Sequence, residues 1–260
     1  MNAAATAPGS LDAPLTRSTS SSRILAVFRL HFVNPMIVAW MPLMIYSFIF
    51  LVNWLIWLVV ALASDGKTAG MSQGTSWSGA SLFIFVWLLV IAVQAMNRTF
   101  HFALGFGTTR RDYYLGTLAA LVLLAAGWSV IFGILAAIEE ATGGWGLGGH
   151  MFAAVYFGDD GAFARTWYVF LLMLFFASIG LIAGSLFVRW KSIGLIGFFA
   201  VITLLILAAG TIIAFTQSWP AVGSFLESLG FAGIYALLLI PVVIAVPLGY
   251  LLLRRATARS

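Results

Sequence analysis

Six apolar runs, each long enough to cross a bilayer as a helix, constrain this chain more than any other feature of it. They fall at residues 36–63, 81–104, 115–138, 167–188, 193–215 and 231–253. A spanning helix needs about 20 mostly apolar residues, because the hydrocarbon layer is about 30 Å thick and a helix rises about 1.5 Å per residue. Helices suit such runs because each backbone N–H and C=O must find its partner inside the segment. Only 8% of the 260 residues are charged and the mean hydropathy is +1.07. Soluble domains carry roughly a quarter charged residues. The sequence therefore predicts an all-α membrane protein with six transmembrane helices, occupying residues 35–260.

The basic residues orient this set of spans. With the N-terminus inside, the inner side holds Arg17, Arg23, Arg29, Arg98, Arg110, Arg111, Arg189, Lys191, Arg254, Arg255 and Arg259. The outer side holds only Lys67 and Arg165. That asymmetry predicts both termini in the cytoplasm. It also reads the net charge of +5 as a topology signal, so no nucleic-acid partner is expected. Residues 1–21, rich in Ala, Ser, Thr and Pro, lack the apolar core of a cleavable signal and read as a disordered cytoplasmic tail. Residues 22–34 read as an amphipathic helix in the inner interface, with Ile24, Leu25, Val27, Phe28 and Phe32 on one side and Arg23 and Arg29 beside them. Asn34-Pro35 then turns the chain into the membrane. Pro42, Pro241 and Pro247 would kink the first and last spans.

Several apparent motifs carry no chemistry. Residues 61–68 come within one residue of a phosphate-binding P-loop but sit at the outer end of a span, with no strand before and no helix after. Asn97-Arg98-Thr99 has glycosylation spacing on the wrong side of the membrane. The glycine-rich run 143–149 reads as a flexible outer loop, and Ser224 with Glu227 as a capping pair starting a short outer helix. The chain has no cysteine, and His31, His101 and His150 are too scattered for a catalytic triad or a metal cluster. Neither catalysis, a metal site nor a cofactor bound by this chain is expected.

Neutral polar residues within spans are the candidates for a substrate path: Asn53, Gln94 and Asn97, with Trp57. Hydrogen bonding between helices is the plainer reading of the amides. No span carries an acidic residue near its centre, so ion-coupled transport lacks its usual carboxylate. Gly180 and Gly184 form a small-xxx-small pair that lets helices approach closely, either within the subunit or across a dimer.

Charge is concentrated in the short loop between the second and third spans, residues 105–117. Thr109 and Asp112 have the spacing of a helix N-cap pair. Arg110 and Arg111 then occupy the first helical turn, where the helix dipole disfavours cations. Lipid phosphate or a partner protein would account for them.

Residues 100–117, together with the topology, resemble the corresponding segment of bacterial ATP-binding cassette permeases. More narrowly, they resemble type-2 exporter permeases of high-GC Gram-positive bacteria, and the preference for Arg over Lys agrees with such a genome. The resemblance implies a cytoplasmic coupling helix, with Gly107, Thr108, Thr109, Arg110, Arg111, Asp112, Tyr113 and Tyr114 contacting a separate ATPase subunit. It implies a second permease subunit, ATP and Mg on the partner ATPase, and a multi-pass place in the bacterial cell membrane. A hydrophobic or amphipathic cargo would suit the aromatic content. The larger outer segment lies between spans three and four, whereas the family's outer re-entrant helices lie between spans five and six. A secondary solute carrier, a vitamin-importer binding subunit and a non-transporting immunity protein remain as alternatives.

Overall fold

The computed structural model describes residues 19–64 and 74–255, all helix, turn and loop with no strand among them. Helix α1 (Ser20–Leu30) precedes five long apolar helices: α2 (Met36–Ala63), α3 (Gly79–Gly105), α4 (Arg110–Ala141), α5 (Ala162–Phe215) and α6 (Trp219–Arg254). The chain is an all-α membrane protein. Its outer helices leave their apolar side chains bare: Leu62 is 73% exposed and Leu205 65%. Water would not tolerate a surface of that extent, whereas lipid does.

Two of the long helices are broken. At about 1.5 Å per residue, α5 would run about 80 Å, far more than one bilayer crossing. Lys191 interrupts it at φ 56°, ψ −146°, leaving arms of residues 162–190 and 192–215. Gly230, at φ 60°, ψ −176°, breaks α6 and sets apart an arm of residues 219–229. That arm starts at Trp219-Pro220, so Ser224 lies inside it and donates to the Ala221 carbonyl instead of starting a helix.

Wide π-type turns open α2 at Met36–Trp40 and α3 at Ala95–Thr99. The first precedes Pro42, whose ring would otherwise press on the carbonyl four residues back, and the wide turn relieves that clash. At the second, the Tyr113 hydroxyl of α4 donates to the Ala95 carbonyl at 2.5 Å. Gly180 and Gly184 of α5 face α3 so closely that a Cβ on Gly180 would lie 2.4 Å from the Leu89 carbonyl oxygen. A Cβ on Gly184 would lie 2.6 Å from that of Met96. The glycine pair is thus occupied inside the subunit.

The connection from α4 to α5 is a packed plug, a correction to the flexible loop read from its glycines. Its backbone curls through left-handed conformations at Gly143, Gly144, Trp145, Gly146 and Gly148. Gly149 then lies flat on the indole of Trp57, where an added Cβ would come within 2.3 Å of the ring. Met151, Phe152 and Phe157 drop into the helix core, with the Phe157 and Phe152 rings 4.9 and 5.5 Å from Phe132. Glu139, wholly buried at the end of α4, holds the segment down. Its carboxylate accepts from the backbone N–H groups of Met151, Phe152 and Ala153 and from the Trp145 indole, at 2.8–3.2 Å. Arg165 pairs with Glu140 at 2.5 Å and donates to the Gly158 carbonyl. The Tyr235 hydroxyl of α6 closes the far side by donating to the Tyr156 carbonyl at 2.6 Å.

Candidate functional site

The basic end of the bundle is built on one contact between α1 and α4. Thr109 adopts extended backbone geometry and its hydroxyl accepts from the Asp112 N–H at 3.1 Å, the N-cap that the spacing predicts. Helix α4 then runs unbroken from Arg110 to Ala141. The expected coupling helix is therefore not an element of its own. It is a tight turn, with Gly107 at φ 78°, followed by the first turn of a long helix. Only glycine takes that backbone conformation freely.

Three of the residues expected to anchor a partner turn inward. Asp112, only 2% exposed, receives the Arg23 guanidinium at 2.6 Å and the Ser20 hydroxyl at 2.5 Å. Tyr113 is buried against α3, and Tyr114 donates to the Val246 carbonyl of α6 at 2.6 Å. The reason is register: these side chains follow the α4 face that continues into the core at Gly116 and Thr117. Gly116 allows the close approach of α1, since a Cβ there would meet that of Val27 at 2.7 Å. Helix α1, read as 22–34, spans Ser20–Leu30 and is docked on α4 by Val27, while Leu25 faces outward. Its last contact is a 3.0 Å hydrogen bond between the His31 ring and Thr117, and burial pushes the His31 pKa down to about 4.

Arg110 answers the charge anomaly within the chain itself. Its guanidinium donates to the Arg254 carbonyl at 2.5 Å, capping the C-terminus of α6, where a cation is favoured. Arg111 is left exposed, beside a small groove lined by Tyr114, Pro247 and Tyr250. Replacing Asp112 with alanine would leave Arg23 without its carboxylate and uncap the contact, at a cost of about 2 kcal/mol or more. The expected result is loss of amide protection across α1 in hydrogen exchange, with protection in α4 and α5 retained.

What projects beyond this end is aromatic. Phe102 and Phe106 pack with their rings tilted at 59° and 4.8 Å between ring centres, and Phe106 is 76% exposed on the turn that Gly107 makes. Neither is among the residues that the resemblance implies. Their i, i+4 spacing at the end of an apolar run is the signal that points to them.

The residues proposed for a substrate path do not converge. Trp57 is buried under Gly149, and Asn53 returns its amide to the Ile49 carbonyl of its own helix at 2.8 Å. Gln94 is exposed and lines a cavity at the basic end, while Asn97 is half-buried and outside that lining. The P-loop-like residues 65–68, together with Arg17 and Arg259, lie outside the described residues.

No protein-family model matches the chain, and comparison with curated proteins and with solved structures finds no match.

Proposed function

We propose that this chain is the membrane-spanning subunit of an ATP-driven exporter, working with a separate ATPase subunit that carries ATP and Mg and with a second permease subunit, alike or different. The observation that carries the reading is the exposed aromatic pair of Phe102 and Phe106, at the end of α3 and on the turn fixed by Gly107, followed in sequence by the exposed Arg111. Phenylalanine and arginine are both enriched at protein interfaces relative to the rest of the surface. Its support is rigid: α1 is tied to α4 through Asp112, and α6 to α4 through Arg110. A push on the turn would therefore reach three helices together, which is what coupling requires.

In this reading the kink at Lys191 makes two spans of α5, and α6 contributes an arm and one span, giving six crossings. The concentration of basic residues at the α1 end favours placing that end and both termini in the cytoplasm of a bacterial cell. The partner surface is Phe102, Phe106, Gly107, Thr108 and Arg111, with Thr109, Arg110, Asp112, Tyr113 and Tyr114 as its internal frame.

The test is a double variant, Phe106→Asp with Arg111→Glu, that spares Arg110. An ATPase should copurify with the wild-type chain from native membranes. The double variant should accumulate and melt normally while losing about tenfold or more of the bound ATPase, the scale of a lost hot spot. Full copurification and full transport by the double variant would reject the assignment. So would a wild-type chain that brings down no ATPase.

A further inference from the structure

Between the end of α1, the start of α2, and the facing sides of α3 and α4 lies a cavity of about 350 Å³ at the basic end. Both π-type turns border it: Ile37 and Val38 line it from the first, and Arg98 and Thr99 from the second. A π-turn widens a helix locally and recurs at binding sites. Here two widened turns face one another across the space.

The lining is divided by chemistry. The side chains of Arg98 and Gln94 are exposed and make no hydrogen bond or ion pair with another described residue. Asn34 accepts from the Met36 N–H through its Oδ1, which leaves its amide N–H groups to donate. Burial lowers the His31 pKa to about 4, so that among the described lining residues Arg98 carries the charge at neutral pH. Among the described residues, no carboxylate lines the cavity. Ile91 and Leu124 face the same space from α3 and α4 and are purely aliphatic. A guanidinium with amide donors suits phosphate oxygens, and the aliphatic wall suits the beginning of an acyl chain.

We infer that this cavity seats the phosphate-bearing end of an anionic phospholipid from the leaflet at the basic end, with the phosphate on Arg98 and Gln94 and the chain against Ile91 and Leu124. The volume accommodates a headgroup and the start of a chain, and the remainder of the lipid stays in the bilayer. The site goes beyond the docking assignment and stands whether or not an ATPase binds. A lipid in it would cross-brace α1 to α3, a pair that the protein joins chiefly through α4.

The test uses the full chain in detergent, titrated with dioleoyl-phosphatidylglycerol, dioleoyl-phosphatidylcholine or glycerol 3-phosphate, with bound molecules read by native mass spectrometry. Phosphatidylglycerol should be retained about tenfold over phosphatidylcholine, which has the same phosphate but would set its choline cation beside the Arg98 guanidinium. Arg98→Gln should reduce it to the phosphatidylcholine level, whereas Arg98→Lys should keep most of the preference and Arg111→Gln all of it. Leu124→Trp, which fills the cavity while leaving Arg98 in place, should block retention without lowering the melting temperature. Equal retention of the two lipids, or an unchanged preference in Arg98→Gln, would overturn the site. Glycerol 3-phosphate binding as tightly as the lipid would overturn the lipid assignment in favour of a soluble anion.

Discussion

Replacing Glu139 with alanine is expected to destabilise the protein by about 3–5 kcal/mol, the usual cost of removing one member of a buried charged network. Three backbone N–H groups and the Trp145 indole converge on this carboxylate, which has no exposure of its own. Alanine would strand the buried N–H groups of Met151 and Phe152, which retain their desolvation penalty, and would release the half-buried donors of Ala153 and Trp145. The first consequence falls on the plug rather than on the helices. Limited proteolysis should cut within residues 143–161 in the variant and leave that segment of the wild type uncut. The melting temperature in detergent should fall together with that cleavage. Glu139→Gln should be intermediate, since one oxygen can still accept while the new amide N–H₂ opposes the backbone donors. An alanine variant as resistant and as stable as the wild type would show that the plug is held by its aromatic side chains alone.

A second large effect is expected at Gly180. Leucine there would drive its Cβ to 2.4 Å from the Leu89 carbonyl oxygen and 2.7 Å from the Ala92 Cβ. The nearer obstacle is backbone, which no rotamer change can clear. Overpacking of this kind costs about 1–3 kcal/mol or more, and α3 and α5 form one of the main helix interfaces of the fold. The variant should lose its monodisperse peak on size exclusion and melt at lower temperature. Gly197→Ala is the control: it lies on the second arm of α5, beyond the Lys191 break, with nothing within 4 Å of an added Cβ. It should be neutral or gain up to about 1 kcal/mol from reduced chain entropy. If both variants behave alike, the close approach at Gly180 is not what holds α5 to α3.

The contrast between these glycines shows what a pattern can reveal. Small-xxx-small spacing at Gly180 and Gly184 announces a close contact, yet the same reading cannot separate a fold within the subunit from a dimer face. Only the position of α3 against them does so. The cap at Thr109 was legible because it is local, a hydroxyl three residues from the N–H it accepts. The partners of Arg110 and Asp112 were not legible, because they lie 144 and 89 residues away in sequence, at Arg254 and Arg23. Charge at a helix start looked like an invitation to an outside molecule, when much of it closes the chain on itself.

The amino-acid sequence by itself determined the solvent and the secondary structure. Long apolar runs with few charges have one stable outcome in a bilayer, helices that satisfy their own backbones. The position of each run followed from hydropathy alone. The tertiary structure decided which faces those helices hide. It buried Asp112, Tyr113 and Tyr114 and left Phe102 and Phe106 outside, and it turned a glycine-rich loop into a plug pinned by Glu139. The physical reason is range: hydropathy and capping act within a few residues, whereas burial depends on neighbours brought together by the whole fold.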